Sequence, residues 1–257
     1  MSLRRIVVAL DGSSEATFDT MIELARELEV ELVGLFVEDT ELLDAAALPF
    51  GETGFPTASR RALDVGAMER SLRAQARRIE RELGSRLRGR SVKWTFEVVR
   101  GRFGSAITSC VAADDIVVVP AARATGQVPR ARERASDAVR AAQGSWLLVS
   151  DPQRNGDRVA ILPPANAAIG TVARVVAALA PHYGRSVLFA VDAALGNREK
   201  AELEGAEGVL AREAIRVRFR ELADTTPGEL ARLVSSGPPG IVVVLVGSAE
   251  AREALLA

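Results

Sequence analysis

Two doubly wound α/β domains in tandem, each on a mostly parallel sheet, are what this sequence predicts. Three observations carry the prediction. Short, wholly apolar runs recur along the 257 residues. Amphipathic helical stretches alternate with them. The alternation restarts after a polar break at 151–157. Continuous apolar runs bounded by turn residues read as strands buried on both faces, as in a parallel sheet flanked by helices.

The first strand is 5–10, Arg-Ile-Val-Val-Ala-Leu. Asp11-Gly12-Ser13-Ser14 follows as a turn of helix-capping residues. Phe18, Met21, Ile22, Ala25 and Leu28 recur at helical spacing, and 31–37 reads as the second strand. The connection 38–61 carries Pro49, Gly51, Gly54 and Pro56. Phe50 and Phe55 within it fit either a lid over a cleft or a cover for an apolar edge. Val65, Met68, Leu72, Ala76, Ile79 and Leu83 then step by three or four residues, with Arg70, Arg73, Arg77 and Arg81 on other faces. Glu69 and Arg73 are spaced to pair along that helix. Strands follow at 92–99, 115–119 and 146–149. A short helix with Phe103, Ile107 and Val111 separates the first two, and a helix near 135–142 precedes the last. Cys110 falls on an apolar helical side and is expected in the core. Asp114 and Asp115, just before a strand, are expected to shape a turn. The alternation of strand and helix predicts right-handed parallel crossovers.

After 151–157, read as a linker, strands at 159–162, 187–191, 215–222 and 241–246 alternate with helices at 169–180, 198–214 and 227–234. The unit 158–257 thus repeats the order of 1–150 but stops before a fifth strand. An edge left that way must be covered, charged or paired, so a homo-oligomer or a protein partner is expected. His182 and Tyr183 close a helix.

Composition narrows the function. Hydrophobic residues make up 48%, enough for a packed core, and charged residues make up 26% with a formal net charge of -1. A nucleic-acid or anionic-membrane partner asks for a basic excess, which is missing. Almost all the positive charge is Arg; the lysines are Lys93 and Lys200. With Cys110 the one cysteine and His182 the one histidine, there is no intrachain disulfide, and no His/Cys metal site is expected. No nucleophile motif accompanies His182. No apolar run reaches membrane-spanning length, and residues 1–5 lead into a strand without a signal-peptide pattern, so a cytoplasmic location is expected.

Residues 3–150 resemble the universal stress protein family. Ile6-Val7-Val8-Ala9-Leu10-Asp11-Gly12-Ser13 looks like its opening strand and Asp-Gly-Ser turn. Leu35-Phe36-Val37 before a long connection is similar to its second strand and variable loop. Val98-Val99-Arg100-Gly101 with Ala106-Ile107 resembles its third strand and the glycine that ends it. Asp115-Ile116-Val117-Val118-Val119 resembles its Asp-Leu-Ile-Val strand. The second unit matches in element order and only weakly in residues.

The resemblance implies an adenine nucleotide alpha hydrolase-like fold. In ATP-binding members it implies a cleft at the carboxyl ends of the strands, where strand order reverses. There the Asp after strand one meets the adenosine end, and a loop after strand four (Gly, two residues, Gly, nine residues, Gly with Ser or Thr) surrounds the phosphates. Glycines let phosphates approach backbone N–H groups. This chain keeps the Asp and not the loop. Pro120 and Arg123 stand at the first two glycine positions, and Arg132 or Glu133 at the third. In the second unit the Asp position falls near Pro163 or Pro164 by chain order.

The candidate nucleotide cleft is therefore Asp11, Gly12, Ser13, Val37, Val119 and Arg123. Asp11 fits either a ligand contact or a turn-and-cap role. Arg123, Arg130, Arg132 and Arg134 fit either an anion clamp or a solvated face. No catalytic residue and no metal ligand set is expected. The expected function is a non-catalytic stress-response or regulatory protein without ATP binding of the usual kind. The alternative is an ATP- or AMP-binding sensor using the first cleft. A nucleotide-processing enzyme stands last, because the sequence shows no base, metal cluster or phosphate-gripping lysine.

Overall fold

Apolar runs pair into strands, and the stretches between them coil with one greasy face toward the sheet. The computed structural model describes residues 3–10, 15–47, 65–112, 114–120, 145–149, 158–162, 169–183, 185–192, 197–222 and 241–246. In chain order the elements are β1 (Arg5–Leu10), α1 (Glu15–Glu27), β2 (Glu31–Asp39), α2 (Thr40–Ala47), α3 (Val65–Leu87), β3 (Trp94–Gly101), α4 (Phe103–Cys110), β4 (Asp115–Pro120) and β5 (Ser145–Val149). They continue with β6 (Arg158–Leu162), α5 (Ile169–Tyr183), β7 (Ser186–Asp192), α6 (Asn197–Arg212), β8 (Arg216–Leu222) and β9 (Ile241–Val246). Helix α2 lies where an irregular connection was expected. The helices expected near 135–142 and 227–234, and Phe50 and Phe55, fall outside the described residues.

The strands form one nine-stranded sheet in the order β3-β2-β1-β4-β5-β6-β9-β7-β8. Every neighbouring pair is parallel except β5–β6. The predicted α/β class with a mostly parallel sheet is the observed one. The second half departs from its chain order. β6 does not sit centrally as β1 does; it pairs antiparallel with β5, through Trp146↔Leu162 to Val149↔Val159. The seam between the halves is therefore paired, and among the described residues the sheet ends at β3 and β8.

The register shows what the second half is instead. Arg5 of β1 faces Glu31 of β2 and Asp115 of β4. Ser186 of β7 faces Arg216 of β8 and Ile241 of β9. In both triplets the first residues of all three strands are level. The intervening helices also end alike. Glu29 after α1 and Ala214 after α6 both have φ 56. The next N–H in each case reaches back over the last turn: Val30 N to Ala25 O at 3.0 Å, and Ile215 N to Leu210 O at 3.1 Å. These are Schellman-type ends. So β7-α6-β8 is the counterpart of β1-α1-β2, β9 is that of β4, and β6 takes the sheet position of β5. The strand that opens the second half stands where its last strand belongs, a circular reordering.

A single hydrophobic cluster joins both halves, from Ile6, Met21, Phe36 and Leu83 to Val176, Leu179, Phe189 and Leu210. Each such side chain contributes about 1.5–3 kcal/mol by leaving water. In α3, Leu72, Ala76, Ile79, Leu83 and Leu87 are buried while the arginines face out, as the periodicity predicts. The predicted Glu69–Arg73 pair forms at 3.7 Å. Cys110 is only half-buried at the end of α4; the buried residues of that helix are Ala106 and Ile107. Residue 110 is the last of the helix, past the turn that buries Ala106 and Ile107.

Candidate functional site

Parallel strands carry their carboxyl ends to one rim of a sheet, and a crevice opens there wherever successive crossovers depart in opposite directions. From β1 the chain moves to β2 and β3, then returns to β4 on β1's other side. The crevice therefore lies between β1 and β4. β1 ends at the buried Leu10 and leads directly into Asp11. Leu10 faces Phe36, so Val37 is level with position 11; it is buried and faces Val99 of β3. On the opposite flank Val119 and Pro120 face Leu148 and Val149 of β5. The structure thus brings Val37 and Val119 to the two sides of β1's end. Asp11, Gly12, Ser13 and Arg123 lie outside the described residues.

Asp39, which the sequence reading passed over, closes β2 at this rim. It is 3% exposed, and its Oδ1 accepts the Glu41 N–H at 2.9 Å. That contact caps α2, where a carboxylate also complements the helix dipole. The sequence signal was Asp before Thr-Glu-Leu-Leu, an N-terminal cap. The described arginines nearby are held by carboxylates: Arg100 by Glu69 at 2.8 Å and Arg102 by Glu41 at 3.3 Å.

At the other ends of the strands Asp115 is fully buried. Arg5 Nε donates to its two carboxylate oxygens at 3.0 and 2.9 Å, and the Ala112 N–H donates to Oδ2 at 2.8 Å. Arg5 Nη2 also donates to the Cys110 carbonyl. This aspartate holds the α4–β4 turn, as expected, and in addition ties it to the start of β1.

The same reversal recurs between β7 and β9. Counting along the matched registers, Asp192 occupies the position of Asp11, Leu222 that of Val37, and Val246 that of Pro120. The expectation that the second Asp position falls near Pro163 or Pro164 is corrected by this geometry. Position in a sheet follows strand pairing, and β6 is not the central strand. Among the described residues no group of three or more His, Cys, Asp or Glu could hold a metal ion. No described helix is long and apolar enough to cross a membrane.

These features define a doubly wound α/β protein with a crevice at each reversal of strand order. No protein-family model and no curated protein matches the chain. Among solved structures it is similar to a universal stress protein family member from Burkholderia pseudomallei, at 23% identity over 46% of this chain and 81% of that one, with a TM-score of 0.33. It is also similar to a universal stress protein from Archaeoglobus fulgidus DSM 4304, at 12% identity over 96% and 100% of the two chains, with a TM-score of 0.48. The α/β class of this chain rests on its own strand order and pairing.

Proposed function

We propose that this chain is a non-catalytic stress-response or regulatory protein of the cytoplasm that acts through contacts with other proteins. The stress-response part rests on the sequence resemblance of residues 3–150. The observation that carries the rest is Pro120, the last residue of β4 beside the β1 crevice. A proline there has no N–H to offer a phosphate, at the place where the family's loop has a glycine that lets the ligand approach the backbone. Arg123 follows where the next glycine is missing.

A second reading, an ATP or AMP sensor, is favoured by the other crevice. There Val246 replaces the proline, Gly247-Ser248 follows, and Asp192 matches Asp11 in position. Calorimetric titration with ATP and AMP tests both readings on the intact protein and on the Asp11→Asn and Asp192→Asn variants. The leading reading expects no binding up to about 1 mM, the range of very weak complexes. Tight binding abolished by Asp11→Asn replaces it with a sensor in the first crevice. Tight binding abolished by Asp192→Asn places the sensor in the second.

A further inference from the structure

The matched halves differ at one strand. On the outer side of β2 the first half carries β3, paired in parallel from Leu32↔Trp94 to Asp39↔Gly101. Among the described residues β8, the counterpart of β2, ends the sheet. The chain between β2 and β4 spans 40–114 and includes β3; between β8 and β9 it spans only 223–240. A parallel crossover alone takes a dozen or more residues. Among the described residues no strand pairs with β8's outer side, and the backbone groups along it form a template for one more strand.

The side chains of β8 say which strand fits. Arg216, Arg218 and Arg220 alternate, so they share one face at a spacing of about 6.6–6.8 Å, and all three are exposed. The other face carries Val217 and Phe219, with the exposed Glu221 at its end. Phe219 stacks on the buried Phe189 with ring centroids 5.6 Å apart, yet is 45% exposed. Val209, 46% exposed, lies on α6, which packs against β8. A strand end kept only from pairing would carry charge without a half-open phenylalanine. A second copy does not fit this edge: in an antiparallel self-pairing the arginines would face arginines, which repels. β3 of another copy offers Glu97 as its one carboxylate beside Arg100.

We infer that β8 takes up an extended segment of a partner protein as a tenth, parallel strand, and that this segment alternates acidic and apolar residues. Its carboxylates lie beside Arg218 and Arg220, and its apolar side chains cover Phe219. Backbone pairing supplies affinity, and the alternation supplies specificity. The inference rests on the reading that the protein works through protein contacts, and it names the surface and the kind of partner.

The test is fluorescence anisotropy of the intact protein with a labelled peptide of β3's length alternating Glu and Val. Controls are a scrambled peptide of the same composition, a Lys/Val alternating peptide and an oligothymidylate. The expected result is micromolar binding of the Glu/Val peptide, with the scrambled peptide weaker by about tenfold or more and the Lys/Val peptide silent. R218E/R220E should lose the binding and gain the Lys/Val peptide. Both variant positions are solvent-facing, so the fold survives the change. Equal binding of the scrambled peptide or of the oligothymidylate overturns the inference in favour of a general polyanion surface. Absence of peptide binding overturns it too, whereas the protein-contact reading itself fails on the separate observation of tight nucleotide binding.

Discussion

Replacing Asp115 tests whether the start of β1 is truly fastened to the start of β4. The carboxylate is fully buried and receives N–H groups from Arg5 and from Ala112 at 2.8–3.0 Å. Arg5 is itself mostly covered, its side chain 15% exposed. D115A leaves a guanidinium with little water and an orphaned amide. Removing one partner of a buried pair costs about 3–5 kcal/mol. At about 2–4 °C per kcal/mol for a chain of this size, the midpoint of thermal unfolding should fall by about 6–20 °C. R5M/D115L replaces the whole pair with apolar groups and should recover most of that loss, because two charges no longer need to be kept from water. Circular dichroism melts of the wild type, R5M, D115L and R5M/D115L close a thermodynamic cycle. If D115A melts within about 1 °C of wild type, or if the double variant melts as low as the sum of the singles, the pair is not coupled and the reasoning fails.

Three further outcomes are expected. G34A should destabilise by about 1–3 kcal/mol in urea unfolding, because a new Cβ would sit 2.9 Å from Leu83 Cδ2 and 3.0 Å from Phe96 Cδ2. F189A, emptying a fully buried site under Phe219, should cost about 3–5 kcal/mol by the same measurement. E29G and A214G, at the two helix ends with φ 56, should each stabilise by about 1 kcal/mol by relieving the left-handed backbone, and so raise the melting midpoint.

Strand positions were legible because burial on both faces writes a continuous apolar run, as in Ile6-Val7-Val8-Ala9-Leu10 and Ile241-Val242-Val243-Val244. Neighbour relations were not, because such runs are nearly interchangeable. Nothing in Val159-Ala160-Ile161-Leu162 says that it pairs with β5 rather than standing between two other strands. Helix α2 is signalled only by the cap at Asp39, because it is short and runs straight into the Pro49 and Gly51 that mark an irregular connection. The role of Asp115 was half legible. Its place before a strand announced a turn, but a bond to Arg5 across 110 positions leaves no local trace. Of the first crevice, the level of Val37 with position 11 emerges only once β1 and β2 are in register. Asp192 emerges only once the second half is matched by register and not by chain order.

The antiparallel β5–β6 seam has one more consequence. Strands β1 to β5 all run one way and β6 to β9 all run the other, so the two crevices open on opposite rims of the same sheet. No one small ligand can bridge them, and each can be occupied without crowding the other. Any influence of one occupant on the other has to cross the shared sheet and the apolar core that joins the halves.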